Sequence, residues 1–436
     1  MRARPAAAIL AVMSVPVNDT RLWHPFADMG AVRGGELVID RGEDVWVWDR
    51  EGRRYLDATA SLWYANVGHG RREIAAAVAA QLERLEAYST FGDFANAPAL
   101  RLADRLAARS PVDGARVFLT SGGGDGIDTA VKLVRRYWSE RGQPGRTHIV
   151  ARAGSYHGTH GYGTAIGGID ANRSGWGPLD RDASTVARDS LDALAAALEG
   201  DGGERVAAVF AEPVIGAGGV HAPVPGYLEG LAELCRRTGV LLVVDAVICG
   251  FGRLGTWYGI ERWDVAPDLI VFAKGVTSGY LPLGGVVVAG AVAEPFWAAP
   301  GGPVLRHGPT YAGHAACCVA ALANLDLLER DGLLERGREL EGELLAALAP
   351  LAGDPLVAEV RGGVGLMGAV ELAPELLAAD PGAVARAALA ARRHGVLVRP
   401  LARALAVSPP LTATPEHFAL IAQALKGALE ELGALV

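Results

Sequence analysis

The sequence predicts an α/β fold: a large domain built on a mostly parallel sheet, plus a smaller α+β domain assembled from both ends of the chain. Three observations lead there. Between about Arg116 and Gly290, short β-branched runs alternate with longer helical patterns, as in a parallel sheet covered on both faces. Residues Leu37 to Asp57 instead alternate like an antiparallel hairpin, and beyond Ala315 helices mix with short strands. A chain of 436 residues is too long for one core and suits this division.

Taken in order, residues 1–20 open with Met1-Arg2-Ala3-Arg4-Pro5 and an apolar run from Ala6 to Met13 that faintly resembles a signal peptide. The run is short and no small-residue cleavage site follows, so a disordered extension is expected, with Met13 as a second candidate start. Residues 21–65 are assigned to the small domain; their hairpin turns at Glu51-Gly52. Residues 66–315 form the large domain, with candidate strands at Val117–Thr120, His148–Arg152, Val206–Ala211, Val240–Asp245, Leu269–Ala273 and Gly285–Ala289. Amphipathic stretches at Asp128–Arg141, Ser190–Glu199 and Gly226–Thr238 lie between them. Residues 316–436 return to the small domain. A helical stretch there runs through Asp326 and Arg338, short strands follow near Val357–Arg361, Leu366–Glu371 and Val396–Arg399, and a last helix starts at Pro415.

Composition narrows the class of function. The formal net charge is −8, and Lys and Arg are scattered instead of forming a stripe, which argues against nucleic acid or an anionic membrane as partner. Half of the residues are hydrophobic, yet Gly, Pro and charge break every apolar run before it reaches membrane-spanning length. Cys235, Cys249, Cys317 and Cys318 show no CxxC spacing and sit among apolar or small residues. They read as buried thiols of a cytoplasmic protein, and no metal site is expected. A small molecule is the expected partner.

In a sheet of this kind, ligands bind beyond the carboxyl ends of the strands. One end reads Thr120-Ser121-Gly122-Gly123-Gly124-Asp125-Gly126 before a helix expected near Ile127. Glycines let backbone amides approach an anion at a helix N-terminus, so this is a candidate phosphate cradle; an ordinary flexible turn is the alternative. A second end, Ser155-Tyr156-His157-Gly158, offers aromatic rings on which a flat cofactor could stack, or a core tyrosine. Two further apolar strands terminate in Asp245 and in Lys274. A carboxylate and an amine at buried mouths need a partner or a ligand to offset desolvation. Pyridoxal 5′-phosphate meets both needs, because its ring nitrogen wants an anion and its aldehyde wants a lysine. A buried Asp245–Lys274 salt bridge is the competing account.

The motifs Ala211-Glu212-Pro213, Asp245-Ala246-Val247-Ile248-Cys249-Gly250-Phe251-Gly252-Arg253-Leu254-Gly255, Pro267-Asp268, Ala273-Lys274-Gly275 and Thr310-Tyr311-Ala312-Gly313-His314 occur in that order. From about Leu22 onward the chain resembles the class III pyridoxal-phosphate-dependent aminotransferases of fold type I. Ala60-Ser61-Leu62-Trp63-Tyr64, Val398-Arg399-Pro400-Leu401 and Ser408-Pro409-Pro410-Leu411 are most similar to the ω-transaminase subgroup. The resemblance implies that Lys274 forms the Schiff base and shuttles the proton, while Asp245 pairs with the pyridinium nitrogen. It implies that Val247 and Tyr156 pack on the two ring faces, and that Gly123, Gly124 and the neighbouring subunit's copy of Thr310 hold the phosphate of a homodimer's site. Trp63 would line the substrate pocket beside Tyr156, and Arg399 would recognise a carboxylate or swing away for an uncharged amine.

Three positions depart from the family pattern. Gly124 stands where a phosphate-binding serine is usual, Ala246 replaces a glutamate, and Ala315 replaces a proline. The expected reaction is ping-pong transfer of an amino group from an amine or ω-amino acid to a keto acid such as pyruvate. Amino-group mutases and racemases share the lysine and the aspartate, so they remain alternatives at this level, as does a non-catalytic module that binds the cofactor.

Overall fold

The computed structural model describes residues 20–434. The first three strands are β1 (Ile39–Glu43), β2 (Trp46–Asp49) and β3 (Arg54–Asp57), an antiparallel meander where the sequence suggested a hairpin. Its alternation is physical. Val45, Val47, Tyr55 and Leu56 are buried, while Trp46 and Trp48 lie under the guanidinium groups of Arg54 and Arg41 at 4.1 and 3.7 Å. Asp49 closes the turn by accepting from the backbone N–H groups of Glu51 and Arg53, and Gly52 supplies the left-handed residue at φ 81°.

The central sheet has seven strands: β4 (Arg116–Thr120), β5 (His148–Arg152), β6 (Ala183–Val186), β7 (Val206–Ala211), β8 (Leu241–Asp245), β9 (Leu269–Phe272) and β10 (Gly284–Val288). Their spatial order is β4-β10-β9-β8-β7-β5-β6. Strand β10 runs antiparallel to both its neighbours, and the other six share one direction. Strands β7 to β10 are buried at every residue, which is why they read as unbroken apolar runs. Successive residues serve opposite faces: Leu241 and Val243 join one core with Ile127, Val131 and Val134, while Leu242 and Val244 join the other with Tyr227, Leu231 and Cys235. Gly126 lets the helix that carries Ile127, Val131 and Val134 approach β9, because a Cβ there would lie 2.8 Å from Val271 Cγ1.

The C-terminal part adds β11 (Val357–Arg361), β12 (Gly368–Leu372), β13 (Val396–Leu397), β14 (Arg399–Pro400) and β15 (Ala404–Val407). The run expected as one strand at Val396–Arg399 divides between two sheets. β13 pairs in parallel with β3, Val396 opposite Leu56, while β14 joins the antiparallel sheet β11-β12-β15-β14. The helical stretch after Ala315 is likewise two helices, Ala315–Arg330 and Leu333–Glu339, broken at Gly332 with φ 60°. All four cysteines are buried free thiols. No helix among the described residues is long and apolar enough to cross a membrane. The extension expected over residues 1–20 lies, except for Thr20, outside the described residues.

Candidate active site

The carboxyl ends of β4, β5, β7, β8 and β9 converge on one group of side chains. β8 ends in Asp245, which is 4% exposed. Its Oδ2 lies 2.8 Å from His157 Nδ1, and its Oδ1 accepts from the Val247 N–H at 3.1 Å. One residue beyond β9 and Ala273, Lys274 adopts φ 49°, a left-handed conformation costly for a side-chain-bearing residue. That turn is held from outside: Asn324 Nδ2 donates to the carbonyls of Gly275 and Val276 at 2.9 and 3.0 Å. Gly275 is itself packed against Asn66 and Phe251, where a Cβ would come within 2.5 Å of Asn66 Nδ2.

Lys274 Nζ makes no hydrogen bond and no ion pair among the described residues, so the competing Asp245–Lys274 salt bridge is not formed. Burial lowers the Lys274 pKa to about 8, partly offset by the charges of Asp245 and Glu212. An amine with no partner, freed of much of its proton affinity, is a nucleophile in waiting.

Glu212, which directly follows β7, belongs to this group and was not assigned a role from the sequence. Its two oxygens accept from the N–H groups of Tyr156 (2.9 Å) and Gly216 (3.0 Å). Burial, and next the charge of Asp245, raise its pKa to about 7. The signal was available, since Glu212 ends an apolar run just as Asp245 and Lys274 do. His157 was also passed over, because its motif was read for stacking rings rather than for a partner to Asp245.

Tyr156 is half-buried, and burial raises its phenol pKa while the charge of Arg399 pulls it back. Arg399, on β14, has its pKa lowered by burial, and its guanidinium makes no hydrogen bond or ion pair among the described residues. The Val247 methyl groups lie over Gly123, 3.1 Å from where a Cβ would sit. The helix expected near Ile127 begins at Gly123, because the glycine run supplies its first turn instead of a separate loop. Gly123 and Gly124 therefore present helix N-terminal amides and carry no side chains of their own. Trp63, at φ 65°, is 3% exposed and packs with Val214, Ile248 and Cys249, with Leu401 against that cluster. Thr310 is exposed and makes no hydrogen bond within the described residues.

The aminotransferase class III family model matches residues 29–429. The chain belongs to the class III aminotransferase family. The β-alanine–pyruvate aminotransferase of Pseudomonas aeruginosa is 35% identical over 95% of this aminotransferase and 97% of its own length. The putrescine–pyruvate aminotransferase of the same organism is 34% identical over 94% of each chain. Among solved structures, a thermostable (S)-enantioselective ω-transaminase from Thermomicrobium roseum superposes with a TM-score of 0.90 at 37% identity, over 99% of this chain and 100% of that one. An amine transaminase from an uncultivated Pseudomonas species, in its pyridoxal-phosphate-bound internal aldimine form, gives 0.88 at 38% identity over 96% and 100%. The aminotransferase is thus a pyridoxal-phosphate enzyme of fold type I. Its residues fit that group: an unpartnered amine on Lys274, a buried carboxylate on Asp245 oriented by His157, and a helix N-terminus whose first residues, Gly123 and Gly124, lack side chains.

Proposed function

We propose that this aminotransferase passes the amino group of an amine or ω-amino acid to a keto acid such as pyruvate in two half-reactions, with Lys274 as its Schiff-base lysine. The observation that carries the assignment is the Lys274 amine, unpartnered and close enough to feel the Asp245 and Glu212 carboxylates. When bound, pyridoxal phosphate supplies an aldehyde for amine exchange and a ring that draws electrons from the substrate carbon. Lys274 takes the proton from that carbon and returns it on the other side of the exchange, a task suited to a pKa near the working pH. Asp245 would pair with the ring nitrogen and favour its protonated form, and His157 fixes the carboxylate's orientation.

Val247 and Tyr156 would bracket the ring, and Glu212 anchors the Tyr156 main chain. Gly123 and Gly124 take the phosphate. Trp63 shapes the substrate pocket from behind. In the same reading, residues 66–315 form the cofactor-binding domain, and residues 21–65 with 316–436 form the smaller one.

The active unit is a homodimer in which Thr310 completes the partner's phosphate site. Tyr88, Phe91, Phe94, Leu100 and Tyr311 are each more than half exposed, and Asn96 and Thr90 bond the carbonyls of Gly313 and Ala312, so the segment that carries the first four is tied to the one that carries Thr310 and Tyr311. Four reduced, buried thiols suit a cytoplasmic enzyme.

Arg399 is the carboxylate gate, because a half-buried guanidinium without a partner is ready for a bidentate anion. Arg399→Ala should raise KM for pyruvate about 10- to 100-fold, the loss of one charged pairing, while leaving turnover of a simple arylalkyl amine nearly intact. Steady-state kinetics with each substrate varied in turn decide it. Equal losses for both substrate kinds would reject the gate, and failure of the wild-type protein to exchange amine and pyruvate at all would reject the function.

A further inference from the structure

We propose that His160 makes the phosphate contact that a side chain at position 124 would otherwise supply. The proposal rests on the reading of Gly123 and Gly124 as the phosphate cradle. It starts from the departure at Gly124, where the family pattern has a serine. A Cβ built on Gly124 would lie 3.1 Å from both Cδ2 and Nε2 of His160 and 3.2 Å from its Cγ, so the imidazole fills the volume that the side chain has vacated. Glycine at 124 leaves the room that the histidine at 160 occupies.

One polar contact reaches the ring, and the chain on either side of it is fixed. Its Nδ1 lies 3.4 Å from Asp125 Oδ1, and Asp125 Oδ2 accepts from the Ser121 N–H, so one carboxylate ties the ring to the loop that enters the helix. The next residues begin a short helix, Gly161–Ile166, whose Tyr162 and Gly163 N–H groups donate to Asp128 Oδ1 on the helix Gly123–Glu140. Gly158, at φ 85°, allows the incoming chain to touch Gly124, since a Cβ there would lie 3.2 Å from the Gly124 Cα.

With Nδ1 turned to Asp125, Nε2 lies over the first helical turn and has no hydrogen-bond partner among the described residues. Half of the side chain stays exposed, so a ligand can reach it. An imidazole N–H there donates to a phosphate oxygen where a serine hydroxyl would, and an imidazolium donates at both nitrogens, linking Asp125 to the anion.

The test compares pyridoxal phosphate with pyridoxal, which has no phosphate, as ligands of the full-length apo-protein, by equilibrium dialysis and tryptophan fluorescence. His160→Ala should weaken pyridoxal phosphate about 10- to 100-fold and leave pyridoxal unchanged, with inorganic phosphate losing its power to compete. His160→Gln, which keeps a donor of similar reach, should lose less. Gly124→Ser alone should gain little, because the ring occupies its space, whereas Gly124→Ser combined with His160→Ala should recover most of the affinity. Equal weakening for both ligands, no weakening, or no recovery in the double variant overturns the role of His160. The cradle itself is tested separately by Gly124→Asp in the His160→Ala background. If that carboxylate does not discriminate between the two ligands, the phosphate lies elsewhere and the reading beneath the proposal fails.

Discussion

His157 Nδ1 sits 2.8 Å from Asp245 Oδ2, and that single contact is the only side-chain hydrogen bond the carboxylate makes among the described residues. Both groups are buried, so the pair is shielded from water and the geometry is fixed. Asp245→Asn keeps the shape and removes the charge; kcat should fall by about a thousandfold or more, since the electron-withdrawing power of the ring depends on it. His157→Phe keeps a ring and removes only the orienting donor, and kcat should fall by about tenfold. Rapid-quench or steady-state measurement of both variants checks the order. A His157→Phe loss as deep as that of Asp245→Asn would mean that the histidine does more than orient.

Lys274 sets a pH dependence on cofactor capture. Burial depresses its pKa from 10.5 to about 8, so the neutral, reactive amine accumulates as pH rises through 8 instead of through 10.5. The rate at which apo-protein takes up pyridoxal phosphate should therefore climb with pH and level off above a midpoint near 8. Stability of the apo-protein runs the same way. Between pH 8 and 10.5 the unfolded lysine binds a proton that the folded one does not, so stability rises with pH across that window. Stopped-flow absorbance from pH 6 to 10 gives the midpoint, and a plateau reached only above pH 10 would contradict the buried environment.

Arg253 links three distant segments. It is fully buried, with Nη1 donating to the carbonyls of Leu366 and Pro409 at 2.8 and 2.6 Å and Nη2 to Asn66 Oδ1 at 2.9 Å. Burial lowers its pKa, and Asp57 offsets part of that cost. Arg253→Lys retains the charge but not the planar fork, leaving buried acceptors unpaired at a cost of about 2–4 kcal/mol. Urea unfolding should show a lower midpoint with an unchanged slope. Because Asn66 also packs on Gly275 beside Lys274, the variant should hold pyridoxal phosphate more weakly; a stability loss without that change would uncouple the two.

The central sheet was legible because β7 to β10 are buried on both faces and their apolar runs are continuous. Asp245 and Lys274 stood out for the same reason: a charge that ends such a run is conspicuous. Strand β6 was missed, since Ala183–Val186 lies at the sheet edge, half-exposed, with Ser and Thr in its middle. β15 was missed because Ala404–Val407 carries alanines where branched residues would have signalled a strand. The start of the helix at Gly123 and the division of Val396–Arg399 between two sheets depend on what the chain meets in space, which local pattern does not encode. The same holds for His160 and Gly124, far apart in pattern but in contact in the fold.

The pairing of β13 with β3 bears on how the protein is made. Leu56 leaves the ribosome long before its partner Val396 does. Until then β3 keeps an open edge, and Ala58, whose N–H bonds the Leu397 carbonyl and whose carbonyl accepts from Ser408, has neither partner. A nascent chain can complete its seven-stranded sheet once β10 has emerged, while this sheet waits for β13. Chains cut short before Val396 should therefore expose an unpaired, aromatic-flanked strand and aggregate, even with every residue of the candidate site before that point already synthesised.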